Sequence, residues 1–120
     1  LGTAERFGLT ADRVIYAEAA GAGVGVHQPA DWHNRNPAVL RFSMTAPGDP
    51  ISVVQGYPTG PHGADPDRMP GVIPLAAGRR LTGRPMMGPS SHSDVLTEPS
   101  DAWRNILAVI TGDGTQVRTR

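Results

Sequence analysis

The stretch "PSSHSD" at 89–94 sets Ser90, Ser91, His92, Ser93 and Asp94 side by side, the residue types of a serine hydrolase. That chemistry needs a hydroxyl, an imidazole and a carboxylate converging to about 3 Å, with the carboxylate orienting the base. Neighbouring residues do not converge in this way. In an extended segment Ser91 and Ser93 point away from His92 and Asp94. No G-x-S-x-G elbow offers a serine on a strand-to-helix turn. Serine and aspartate side chains satisfying turn backbone explain the composition, so the segment reads as a polar loop.

The other histidines offer weaker constellations. His27 and His33 flank Asp31, and His62 precedes Asp65 and Asp67, so a His/carboxylate metal set is arithmetically available. No H-E-x-x-H or helix-spaced histidine pair selects it, and no metal ligand is assigned. His27, His33 and an arginine would serve as base, acid and phosphate clamp of a small nuclease, but their spacing does not single them out. Asp65 and Asp67 would act on a glycosidic bond only inside a cleft. "GAGVG" at 21–25 lacks the third glycine of a dinucleotide fingerprint, since Val26 stands there, and Pro29 follows where a helix should open. Its glycines are read as permitting a bulge or close backbone packing. With no lysine a Walker loop is excluded, and with no cysteine so are disulfides, thiolate zinc and thiol nucleophiles. No catalytic, cofactor-binding or metal residue is therefore assigned, and a non-enzymatic role is expected.

The elements that would carry such residues are short. Fifteen glycines and twelve prolines are spread along 120 residues, which disfavours long helices. "TAERFG" reads as one or two helical turns, with Thr3 as N-cap and Gly8 as the stop, or else as part of an N-terminal arm over 1–12. "DRVIYAEAA" alternates as a strand. "AVLRFSM" puts Val39, Arg41 and Ser43 on one face and Leu40, Phe42 and Met44 on the other, and "ISVVQGY" reads as its hairpin partner across the turn "TAPGDP". Residues 58–70, with four prolines, read as a long exposed loop. "GVIPLAAG" contains Pro74 and suits an edge strand, "RRLTGRPMMG" continues with strand character, and "NILAVI" and "TQVRTR" flank "TGDG" as a hairpin. The expectation is a single mostly-β domain over 1–120, a barrel or sandwich of six to eight strands with at most one short helix. Trp32 and Trp103 would close the ends of such a barrel or form a recognition patch.

Eleven arginines balance eleven acidic residues, which argues against nucleic acid as a partner. No apolar run approaches the ~20 residues of a membrane span, and no signal-peptide pattern is seen.

In its C-terminal part, about residues 70–120, the chain resembles the lambda-type phage head decoration proteins. "RPMM" (84–87), "NILAV" (105–109) and "TQVRTR" (115–120) follow one another in that family's order, with Asn105 where the family often has glycine. The resemblance implies a β-rich, often trimeric cap that stabilises a capsid on the virion surface without an active site. Extended Pro-rich segments suit a protein that lies on a partner. Arg41, Arg79, Arg80 and Trp103 are the candidate anchors, because arginine and tryptophan are favoured at interfaces. The alternatives are a small secreted or toxin-type hydrolase or nuclease using His33, His92 and an arginine, and a small-molecule-binding β-barrel.

Overall fold

Two runs without glycine or proline become neighbouring strands of a sheet. In the computed structural model, which describes residues 1–57 and 60–120, β1 (Arg13–Ala17) and β2 (Leu40–Met44) pair in parallel, Ile15 opposite Phe42. The short β3 (Val72–Pro74) joins the other side of β2, also in parallel, Phe42 opposite Ile73. The order is β1-β2-β3. Pro74 thus lies on an edge strand, where its missing N–H costs no ladder bond between strands.

The mostly-β expectation is overturned. Strand makes up 16% of the chain against 28% helix, and the sheet is open with three strands, neither barrel nor sandwich. The barrel on which small-molecule binding was to rest is therefore not the fold. Three α-helices are present among the described residues: α1 (Gly2–Arg6), α2 (Ser91–Thr97) and α3 (Asp101–Thr111). Three short 3-10 turns, at Pro29–Asp31, Pro50–Val53 and Pro66–Arg68, each begin with a proline. At Asp49 and Asp65 the side chain caps the turn by accepting from the amide two residues on, so these Asp-Pro pairs are helical starts.

The largest reversal is "NILAVI", a helix where a strand was expected. Six apolar residues do not distinguish the two, and the flanks decide. Ser100 accepts from the Trp103 amide as N-cap, and Gly112 takes the left-handed conformation (φ 76°) that ends the helix. "TGDG" is consequently a helix stop and not a hairpin. "TQVRTR" contributes one isolated antiparallel bridge, Leu75 to Thr119. Likewise "ISVVQGY" opens as the second 3-10 turn, so no hairpin follows β2. "RRLTGRPMMG" makes only isolated bridges, Arg79 to Pro85 and Arg80 to Ser100. "PSSHSD", expected to be a polar loop, is instead the start of α2, with Ser90 at the N-cap and Ser91 to Asp94 inside the helix. Helix α1 starts after Leu1, with Gly2 and Glu5 buried, so this segment is docked on the domain. Of the expected loop 58–70, residues 58 and 59 lie outside the described residues. The remainder contains the third 3-10 turn and buries Gly63, Pro66 and Met69.

Both faces of the sheet are covered, as parallel sheets require. One face packs Phe42, Met44, Leu75 and Met86 against Val95 of α2 and Ala102 and Val109 of α3. The other packs Val14 and Tyr16 with Val26, Trp32 and Met69. Arg41 and Ser43, expected to share one face of the strand, do so and point into this second layer, Ser43 fully buried and Arg41 mostly so. Gly23 is one place where close packing demands glycine. At φ 128° a Cβ there would come within 2.9 Å of the Thr3 amide of α1. Asn105 is fully buried on α3; its amide donates to the carbonyls of Ala76 (2.8 Å) and Arg118 (3.0 Å) and accepts from the Arg118 amide (2.7 Å). This tie explains why an asparagine stands there: it closes backbone groups that no strand ladder satisfies.

Candidate functional site

Two polar clusters are buried beside the sheet. In the first, Glu5 of α1 is fully buried and forms an ion pair with Arg41 of β2. Asn34 donates to the same carboxylate (3.0 Å), and the Tyr16 hydroxyl lies 3.4 Å from its other oxygen. The Arg41 guanidinium stacks over Trp32, 4.1 Å from the ring centre, and Trp32 packs on Tyr16. Burial, with the Glu5 charge beside it, pushes the Tyr16 phenol above its ordinary range. The Glu5 carboxylate is thus satisfied within the cluster, while Arg41 Nε and Trp32 Nε1 are buried with no hydrogen-bond partner among the described residues.

The second gathers Glu18, Asp49 and His92 from three segments. Glu18 follows the last residue of β1 and is 6% exposed. It has φ 48°, the one positive value at a non-glycine residue among the described residues, a costly conformation that tends to be kept at functional sites. Its amide still donates to the Met44 carbonyl (2.9 Å), while its side chain turns back so that Oε1 accepts from the Ala46 amide (2.8 Å). Oε2 is buried with no hydrogen-bond partner among the described residues. Asp49, 1% exposed, caps the second 3-10 turn. Its Oδ1 accepts from the Ile51 amide (2.8 Å), and its Oδ2 lies 3.0 Å from Nδ1 of His92 in α2. The His92 side chain is 49% exposed. It borders a surface depression of about 380 Å3 walled by Pro50, Ile51, Val54 and Pro89.

Burial is the main reason the Glu18 carboxyl is pushed up, to about 8, and the neighbouring Asp49 carboxyl and the charge of Asp67 add to the effect. Burial pulls Asp49 the same way, but the neighbouring Glu18 carboxyl, the Ile51 amide and His92 outweigh it and hold Asp49 below its ordinary value. At neutral pH one carboxyl keeps a proton and the other the charge. Such a set has two chemical uses. Asp49 can hold His92 as a general base, or the three donors can enclose a cation, since one ligand atom from each lies within 4.8 Å of the others.

From the sequence the local triad around His92 was dismissed, His92 was kept only in the alternative hydrolase or nuclease reading, and Glu18 and Asp49 were passed over as site residues. Neither His27 nor His33 belongs to this cluster. Asp31 instead accepts from the amides of His27 (2.8 Å) and Gln28 (3.1 Å), bonds that lower its pKa. Of the proposed anchors, Arg41 is engaged inside the domain. Arg80 pairs with Asp94 at 2.8 Å and donates to the Pro85 carbonyl. Arg79 is exposed, its guanidinium 3.3 Å from the Gly83 carbonyl. Trp103 projects from α3, 43% exposed, while Trp32 lies in the second core layer. The signals for Asp49 and Glu18 were faint: an aspartate before a proline, and one acid ending an apolar strand.

No protein-family model, curated protein or solved structure matches the chain. No helix among the described residues is long and apolar enough to cross a membrane.

Proposed function

We propose that the chain is a non-enzymatic binding module that docks the outer face of α3 onto a larger protein assembly. One observation carries this reading. Helix α3 buries Ala102, Asn105, Ala108 and Val109 and yet leaves Trp103 (43%), Leu107 (62%) and Ile110 (67%) exposed. Those three recur at helical spacing, so they form one apolar stripe, with Arg104 exposed beside it. An exposed stripe containing tryptophan is the composition of an interface centre. The narrower capsid-decoration reading leaned on a strand at 105–109, which is helical here, so the wider reading is the one put forward.

Sedimentation velocity across a concentration series, with Trp103 fluorescence as a second readout, tests it. The expected result is a defined oligomer, or stoichiometric addition to particles from the source, with a blue-shifted tryptophan and loss of both effects in Trp103→Ala. A chain that stays monomeric and leaves particles unbound would overturn the proposal.

A second reading is favoured by the Asp49–His92 contact alone, which is that of a carboxylate holding a general base. It expects turnover of generic ester or nucleic-acid substrates that His92→Ala abolishes and His33→Ala preserves. Equal rates in both variants would remove it.

A further inference from the structure

We propose that Glu18, Asp49 and His92 form a binding site for a first-row divalent cation of the zinc or cobalt type. The inference is independent of what α3 binds. Each carboxylate has one oxygen fixed by a backbone N–H, Glu18 Oε1 by Ala46 and Asp49 Oδ1 by Ile51, both at 2.8 Å. Backbone anchoring of this kind is how outer partners orient metal ligands. It leaves Glu18 Oε2 and Asp49 Oδ2, and the first of these is buried without any partner among the described residues. An unpartnered carboxylate oxygen in a side chain more than nine-tenths buried is costly, and a cation is one way to satisfy it.

The third donor is the imidazole of His92, whose Nδ1 faces Asp49 Oδ2 at 3.0 Å. The ligand atoms of the three residues lie within 4.8 Å of one another. Ligands about 2.0–2.2 Å from a common ion lie roughly 3–4 Å apart, so a modest closure completes the set, and the half-exposed His92 is free to make it. Asp67 adds negative charge nearby. Two oxygens and one imidazole nitrogen suit zinc, cobalt or manganese. Calcium, which takes six to eight oxygens, is disfavoured. The ion would join the end of β1, the turn after β2 and α2, three segments far apart in the chain. The left-handed backbone at Glu18 fits this role, because it returns the carboxylate over the strand end.

The test is calorimetric titration of zinc chloride and cobalt chloride into the chelator-treated full chain, with the visible absorption of cobalt and the thermal midpoint followed in parallel. The expected result is one ion per chain, a midpoint raised by several degrees as binding to the native state requires, and at least a tenfold loss of affinity in both Glu18→Gln and His92→Gln. His92→Gln alters a half-exposed side chain, so it decides the matter if circular dichroism shows Glu18→Gln unfolded. Absence of binding at millimolar metal overturns the proposal. So does unchanged affinity in His92→Gln, which would put the ion on the other histidines.

Discussion

The two buried polar clusters begin from the same problem, carboxylates removed from water beside a parallel sheet, and they resolve it differently. Glu5 has a guanidinium of its own, held by the tryptophan face behind it, with Asn34 and Tyr16 around the carboxylate. Beyond one backbone amide each, Asp49 has only a half-exposed imidazole and Glu18 has no side-chain partner among the described residues, and one of the two retains a proton. A closed cluster holds a fold together. A cluster short of one positive charge is where a proton, a cation or a substrate has something to gain.

Arg41→Ala gives the sharpest test of that difference. It leaves Glu5 buried and unpaired and is expected to cost about 3–5 kcal/mol in urea unfolding, whereas the paired change Glu5→Gln with Arg41→Met should cost less than Arg41→Ala alone. Near-equal costs would mean that Arg41 acts through packing on Trp32 and not through charge. Next in size, Asp49→Ala removes a capping carboxylate and the partner of His92, with an expected loss of about 1–2 kcal/mol. A loss as large as that of Arg41→Ala would put the second cluster in the same structural class as the first.

The pH dependence of stability separates them further. Glu18 titrates near 8 in the folded chain against about 4.5 in the unfolded one, so the folded state binds the extra proton between these values. Stability contributed by this group is complete below pH about 4.5 and declines as the pH rises toward about 8. Asp49 contributes oppositely, at the acid end, where its lowered pKa makes protonation destabilising. Unfolding followed from pH 4 to 9 in a chelating buffer should show the decline in the parent chain, and Glu18→Gln should flatten it. A parent chain already flat would deny the shift. The smallest effect is expected of His92→Ala, under about 1 kcal/mol, because the ring is half exposed and solvent screens the pair.

How much of this was legible follows the same physical divide. "RVIYA" and "LRFSM" were readable because alternation over five residues has one structural meaning, and Pro74 marked an edge. "NILAVI" was not, because six apolar residues fit either period and the deciding cap, Ser100, lies outside them. Asp49 was read as part of a turn and Asp65 as part of a long loop, although an aspartate ahead of a proline also opens helical turns. The burial of Arg41 had no local signal, since its partner Glu5 stands 36 positions away. For the same reason the second cluster was invisible: Asp49 and His92 are 43 positions apart, and only the packing of α2 against the turn after β2 brings them into contact.

The purely parallel pairing of the three sheet strands also bears on how the chain reaches its native state. Arg13 pairs with Leu40 and Arg41 with Val72, so no strand pairing in the sheet forms between near neighbours. Each requires a loop of more than twenty residues to close first, an entropic toll met before any ladder bond is gained. Refolding should therefore be slow for a domain of this size, with helices α2 and α3 gaining structure ahead of the sheet.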